Sequence, residues 1–338
     1  MVLDKCFIIA ELSANHGGDI EIAKETVRAA KRAGADAIKL QTYTADTITL
    51  NVKSDLFKIN QGTAWDGQYL YDLYKGASLP WEWHKLLYNL AKEEGLICFS
   101  SPFDKTAVDF LEELNTPIYK VASFEITDIP LIKYIASKQK PIIISTGIAT
   151  IEDIALAIET CKEVGNNDIT ILKCTSAYPA DPQDANLLTI PDIEKRFKVN
   201  SGLSDHTMGI EAPMIAVALG AKVIEKHFIL DKKIGGADAH FSLDEIEFKK
   251  MVEAVRLTEK LVGHVDYTMT DKKKKSREFS RSLFVTEDVK KGDVISEENI
   301  RSVRPGFGLH PKYLNIVIGR TFSESAVMGT PLSFDIIK

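Results

Sequence analysis

Along the first three quarters of the chain, short apolar runs alternate with longer stretches whose apolar positions recur every three or four residues. The short runs are rich in β-branched residues and fall at 7–10, 37–40, 97–99, 118–121, 142–144, 169–172, 199–203 and 223–225. Near-continuous apolar character predicts strands buried on both faces, as in a parallel sheet. The helical period covers 20–33, 81–92, 106–114, 129–137, 151–164, 191–197 and 209–219, and an eighth stretch follows at 242–261. Strict alternation of strand and helix places the chain in the α/β class with a parallel sheet. Eight such units in this length predict a (β/α)8 TIM barrel, whose usual size is about 250 residues. An open, doubly wound sheet is the competing arrangement. No G-x-G-x-x-G follows the first strand, which argues against its dinucleotide-binding form.

The rhythm stops after residue 261. Residues 262–278 contain the run DKKKKSRE, which has no apolar face and reads as a solvated linker. Beyond it, 282–285 is strand-like and Lys290-Lys291-Gly292-Asp293 reads as a turn. Ser296-Glu297-Glu298 has the form of a helix N-cap followed by acids in the first turn. The expected organisation is a barrel domain at 1–264, a linker at 265–280 and a small β-rich domain at 281–338. A domain that small buries little apolar surface and gains from leaning on another surface.

Composition narrows the possibilities further. Hydrophobic residues at 45% and charged residues at 27% exclude global disorder. No apolar run approaches the roughly 18 residues that a membrane span requires. The start, MVLDKCFIIAELS, turns acidic too soon for a secretory signal. A net charge of −6 argues against nucleic acid as a partner. The cysteines, Cys6, Cys98, Cys161 and Cys174, form no C-x-x-C pair. A zinc knuckle is therefore not expected, and a reduced, cytoplasmic chain is.

In a (β/α)8 barrel the reacting groups stand at the C-terminal ends of the strands. Every expected strand here ends in polar residues: Glu11 to His16, Lys39 to Thr42, Ser100-Ser101-Pro102-Phe103, Lys120 to Glu125, Ser145-Thr146-Gly147, Lys173 to Tyr178, Ser204-Asp205-His206 and Glu225-Lys226-His227. Together they describe a polar ring around one mouth. Lys39 and Lys120 would supply positive charge, and Ser123, Ser145 and Ser204 hydroxyl donors, for an anion such as a phosphate or carboxylate. A lone lysine is ordinarily a surface residue, but each of these follows an apolar strand core, where an unpaired charge is costly. His206 and His227 end neighbouring strands and suit a divalent metal with open positions. The alternative for each is a hydrogen-bonded core histidine. Asp238 lies in the Gly235-Gly236-Ala237-Asp238 segment, where glycines let a loop approach a ligand; a plain turn aspartate is the alternative.

The motifs AELSANHGG, AIKLQT, SSPF, YKVASFE, STG, KCTSAYP, GLSDH, EKHF and GGADAHFSL follow one another in this order. In them the chain resembles the sialic acid synthase family over nearly its whole length. Residues 282–338 resemble the antifreeze-like (SAF, β-clip) domain that ends such enzymes, with Arg304-Pro305-Gly306 as its signature. ELSANH, the insert Trp65 to Tyr74, SFE, Trp81-Glu82-Trp83-His84 and RPGFGLHP point to the branch that uses a 6-deoxy diacetamido hexose, 2,4-diacetamido-2,4,6-trideoxy-L-altrose.

The resemblance implies condensation of phosphoenolpyruvate with that open-chain sugar. Carbon C3 attacks the aldehyde, water adds at C2, and phosphate leaves by C–O cleavage. It also implies a manganese or magnesium ion on His206 and His227. Lys39, Lys120, Ser101, Ser123, Ser145 and Ser204 would hold phosphate and carboxylate. Glu11 would move a proton or orient water. Glu125 and Asp238 would face the sugar, Tyr178 and Gln41 would line it, and Phe103 would form an apolar wall. Ser176 stands where sialic acid synthases carry asparagine, which disfavours N-acetylmannosamine. By the same resemblance the chain forms a domain-swapped homodimer in which Arg304 reaches the partner's sugar. Two other readings remain at this point: a Schiff-base aldolase using Lys120 or Lys173, and a carbohydrate- or ice-binding module on an inert scaffold.

Overall fold

The computed structural model describes residues 4–60, 62 and 65–338; Met1 to Leu3 of the N-terminal reading lie outside the described residues. The described chain forms two compact units, Met1–Gly263 and His264–Lys338.

In the first unit eight parallel strands close into a barrel in sequence order. They are β1 (Phe7–Glu11), β2 (Ala37–Thr42), β3 (Ile97–Pro102), β4 (Tyr119–Val121), β5 (Ile142–Ser145), β6 (Ile169–Cys174), β7 (Asn200–Asp205) and β8 (Val223–His227). Helices α1 (Ile20–Arg32), α2 (Ala45–Ile48), α3 (Leu70–Ala77), α4 (Trp81–Glu93), α5 (Lys105–Glu113), α6 (Ile129–Ala136), α7 (Ile151–Glu163), α8 (Thr189–Phe197), α9 (Glu211–Ala218) and α10 (Glu245–Val262) lie between and after them. Most strands run further than their apolar cores suggest, because the ladder pairs backbone groups whatever the side chain. Glu11 pairs with both Lys39 and His227, Gln41 with Ser101, and Ser204 with Glu225. These polar residues are therefore held within the sheet, while Ser123, Glu125, Tyr178 and His206 lie just beyond the strand ends.

A period of two sorts the strand residues. Phe7, Ile9, Ala37, Phe99, Ile118, Ile143, Leu172 and Val223 cluster as an apolar plug inside the barrel. Their neighbours Ile8, Ala10, Ile38, Leu40 and Ile224 pack instead with Val27, Phe248 and Met251 from the helices. Val121, Ile142, Ile144 and Ile171 do the same against Leu131, Ile135 and Ile158. Gly202 is required at its place on β7: a Cβ there would stand 2.3 Å from the carbonyl oxygen of Val223. The helices begin where capping groups occur. Thr150 and Asp153 form a reciprocal capping box at α7, and Asp244 and Glu247 another at α10.

The insert between β2 and β3 carries α2 and α3, which the apolar periodicity did not announce. Neither buries a continuous face; Ala45 is the one buried residue in α2, and α3 has none.

The second unit is β-rich, as expected, though sparse in regular strands. β9 (Ser282–Val285) pairs antiparallel with β10 (Ile300–Val303), and isolated bridges join Val289 to Ala326 and Phe322 to Ile337. Leu283, Val285, Val289, Ile295, Ile300, Val317, Phe322 and Leu332 form its core. Two local expectations change. The lysine run forms a short exposed helix, α11 (Asp271–Arg277), because the Thr270 hydroxyl accepts from Lys273 N and Lys274 pairs with Asp271 at 3.1 Å. Ser296 does not start a helix. Its hydroxyl accepts from Glu298 N and its carbonyl from Ile300 N, which turns the chain directly into β10. The last helix, α12 (Leu314–Val317), packs Val317 into that core.

Candidate active site

Above the plug the inward positions become charged. Lys39 Nζ lies 2.9 Å from Glu11 Oε2 and 3.4 Å from Glu225 Oε1, and 3.4 Å from the Ser101 hydroxyl. Lys120 Nζ donates to Val121 O at 2.8 Å and stands 3.9 Å from the same Glu225 oxygen. The Ser204 hydroxyl donates to it at 3.1 Å. All of these side chains are buried. Two lysines thus share a carboxylate that the motif survey did not single out. The signal was present: Glu225 lies two residues before His227 on β8, so the strand period puts both on one face.

Burial raises the Glu11 carboxyl to about 7 despite Lys39, with Glu225 adding to the rise. Glu125 is also raised to about 7 by burial, with Lys120 opposing. Burial lowers the Lys120 ammonium to about 8, while Glu225 works to keep it charged. For Glu225, burial is outweighed by Lys120 and Lys39, and its carboxyl falls below the ordinary range. The site therefore holds one firm carboxylate and two carboxyls that exchange protons near neutrality.

Gln41 donates through Nε2 to Glu11 Oε1 at 2.9 Å and to the Ser13 hydroxyl at 3.0 Å, bracing Glu11. Ser123 and Glu125 sit in a single turn after β4, where the Ser123 hydroxyl accepts from Gly147 N at 3.0 Å. A Cβ at Gly147 would meet the Ser176 hydroxyl at 2.0 Å and that of Ser123 at 2.9 Å. Glycine here lets three strand ends converge. Phe103 packs edge-on against Tyr43, and Tyr43 against Tyr74 of α3. Tyr178 packs on His206 at 4.4 Å between ring centres and on Phe241 at 5.3 Å.

The His206 and His227 rings are 5.2 Å apart between centres. His206 Nδ1 lies 3.0 Å from the carbonyl of Thr175, which can only accept, so Nδ1 carries a proton and Nε2 keeps its lone pair whenever the ring is neutral. Cys174 Sγ is 3.7 Å from the same nitrogen. Burial and the neighbouring His206 hold His227 well below the usual imidazole range, so its ring is neutral. Its Nδ1 is buried without a hydrogen-bond partner, 3.6 Å from Asp238 Oδ2. Among the described residues no group of three or more His, Cys, Asp or Glu side chains is arranged to hold a metal. Although burial opposes it, contact with Cys174 and the Thr175 carbonyl raises His206 above the usual imidazole range. In their neutral forms, two imidazoles at this spacing suit an ion whose remaining positions stay open.

Lys173 lies on the outward phase of β6 and donates to Cys174 O and the Thr175 hydroxyl, so it is unsuited to a Schiff base in the mouth. Arg304 is exposed in the second unit and precedes a cis peptide bond to Pro305. The cysteines are all free and buried. No described helix is long and apolar enough to cross a membrane.

Residues 26–267 match the NeuB family and residues 280–337 the SAF domain. The chain is 50% identical over 328 residues to a pseudaminic acid synthase of Campylobacter jejuni, covering 97% of this chain and 95% of that one. It is 49% identical over 332 residues to that of Helicobacter pylori, with 98% and 97% covered. Among solved structures, the spore coat polysaccharide biosynthesis protein SpsE of Bacillus subtilis superposes with a TM-score of 0.65 at 35% identity, covering 99% of this chain and 95% of that one. The chain belongs to the NeuB family and ends in a SAF domain.

Proposed function

We propose that this chain is a pseudaminic acid synthase, condensing phosphoenolpyruvate with 2,4-diacetamido-2,4,6-trideoxy-L-altrose to release phosphate. One observation carries the reading. Two lysines and a firm carboxylate are buried together, while Ser145 Oγ, Glu125 Oε2, Glu225 Oε2 and His227 Nδ1 are buried with no hydrogen-bond partner in the protein. Such orphaned groups are costly unless a polar ligand satisfies them. The mouth is therefore suited to a small, highly charged, oxygen-rich molecule. Half-identity to the two synthases named above supports the choice of sugar.

In this reading Lys39 and Lys120, with Ser101, Ser123, Ser145 and Ser204, hold the phosphate and carboxylate. Glu11, steadied by Gln41, takes a proton from the water that adds at C2. Glu125 and Asp238 face the sugar hydroxyls, Tyr178 and Ser176 line it, and Phe103 closes an apolar side. His206 and His227 would hold a manganese or magnesium ion, which supplies Lewis-acid polarisation of the aldehyde oxygen when bound. The new bond joins C3 to the aldehyde carbon, whose oxygen gains a proton. The C2–O bond to phosphate breaks, and the added water becomes the ketone oxygen.

We hold Arg304 to be a sugar contact delivered within a domain-swapped homodimer, on the strength of the Arg304-Pro305-Gly306 segment. Buried thiols and the negative net charge suit a cytoplasmic enzyme without a nucleic-acid partner.

The experiment is a panel of N-acyl sugars with phosphoenolpyruvate and manganese, scored by phosphate release and product mass. The 6-deoxy diacetamido sugar is expected to give the highest kcat/KM. A higher value with N-acetylmannosamine, or with the legionaminic acid precursor, would reassign the chain within the family.

A further inference from the structure

We infer that Asn15 and Ser242 form a latch that sets the position of Asp238, and so act as positioning residues for the sugar half of the reaction. This rests on the proposed role of Asp238. The Asp238 side chain interacts with the Ser13 hydroxyl, while Ala14 N approaches its Oδ2 only at 3.4 Å and His227 Nδ1 lies at 3.6 Å. It follows Gly235 and Gly236, whose φ angles of 72° and 108° mark a backbone with wide freedom.

Its main chain is held far more firmly. The Asp238 carbonyl accepts from the Ser242 hydroxyl at 2.6 Å and from Ser242 N at 3.2 Å. That hydroxyl has spent its one proton and must accept from Asn15 Nδ2, 2.8 Å away. The second Nδ2 proton goes to the carbonyl of Phe228 at 3.0 Å. A carbonyl can only accept, so the amide orientation is fixed and the chain of bonds runs in one direction. Asn15 and Ser242 are fully buried, and the amide's Oδ1 is left without a partner. Tolerating an orphaned acceptor indicates that the two donations matter more than satisfying every atom. The latch joins the loop after β1, the end of β8 and the Asp238 loop at one point.

The test compares Ser242→Ala, Asn15→Ser and Ser242→Thr with the parent chain, by steady-state kinetics in both substrates and by hydrogen exchange of the 231–241 segment. Ser242→Ala and Asn15→Ser are expected to raise the sugar KM about 10-fold or lower kcat by about that factor, with the phosphoenolpyruvate KM within about twofold. Exchange in 231–241 is expected to quicken, and Ser242→Thr to restore both readouts. Unchanged sugar kinetics, unchanged exchange, or a rise in the phosphoenolpyruvate KM as large as that in the sugar KM would overturn the latch. If the parent does not turn over the diacetamido sugar at all, the functional reading fails, and the exchange comparison still decides whether the latch exists.

Discussion

His227 Nδ1 and Asp238 Oδ2 face each other at 3.6 Å at the barrel mouth, just too far apart for a hydrogen bond. The imidazole is kept neutral by burial and by His206, while burial raises the Asp238 carboxyl. A neutral ring with a free lone pair beside an acid is primed to receive a cation. Titration of Mn2+ into metal-free protein, followed by electron paramagnetic resonance, is expected to show one bound ion per chain. His206→Ala and His227→Ala are each expected to abolish binding and turnover with unchanged circular dichroism. Full activity in excess chelator would exclude the site.

Glu225 keeps Lys120 protonated, since its charge is the largest influence opposing burial there. If activity requires the charged amine, it falls as pH rises through the Lys120 value of about 8. Glu225→Gln removes the support, so the alkaline limb of kcat/KM for phosphoenolpyruvate is expected to move to lower pH. A limb that stays in place would separate Glu225 from the lysine's protonation.

Glu125 gives a stability effect of known sign. Its folded value, about 7, lies above the ordinary 4.5. The folded chain therefore binds that proton more tightly, and the contribution is full below pH 4.5 and lost as pH rises through 7. Glu125→Gln is expected to be more stable than the parent at alkaline pH by up to about 3 kcal/mol. The gap should close toward acid, as urea titrations at a series of pH values would show, and turnover should fall even where stability rises.

Lys226 is buried on the outward phase of β8, bonded to Asp205 and, at 2.6 Å, to Thr207 O. Lys226→Met strands the Asp205 charge, and a loss of about 3–5 kcal/mol is expected from denaturant unfolding. Adding Asp205→Asn neutralises the stranded group and is expected to recover part of it. A double variant less stable than the single one would show that Asp205 is held mainly by Thr207, whose N and hydroxyl donate to it at 2.9 and 2.8 Å.

The Arg304 proposal is open to complementation. Arg304→Ala and His206→Ala are each expected to be nearly inactive alone. After subunit exchange between them, up to about a quarter of parental activity is expected, because half the chains enter mixed dimers and each of those rebuilds one intact site. Demonstrated exchange without recovery would place Arg304 in its own chain's chemistry or in none.

The barrel was legible because strand and helix periods are local, and the period of two also sorted the motifs. In GLSDH and EKHF, Ser204, His206, Glu225 and His227 share the inward phase, while Asp205 and Lys226 share the outward one and pair there. Glu225 could have been found by that count alone. The crowding at Gly147 could not, since it comes from Ser123 and Ser176 on other strand ends. Nor could the bond between Asn15 and Ser242, which are 227 positions apart. The insert helices α2 and α3 escaped notice because neither buries a continuous apolar stripe.

The apolar plug formed by Phe7, Ile9, Phe99, Leu172 and their neighbours closes the barrel beneath Lys39 and Lys120. A well sealed at its floor has a single door. Two reactants that must meet inside it cannot trade places, so whichever one occupies the lysine level has to enter before the other follows. Kinetics in such a vessel are a queue. The later reactant, once seated, is expected to trap the earlier, and at high concentration to obstruct the way in by arriving out of turn.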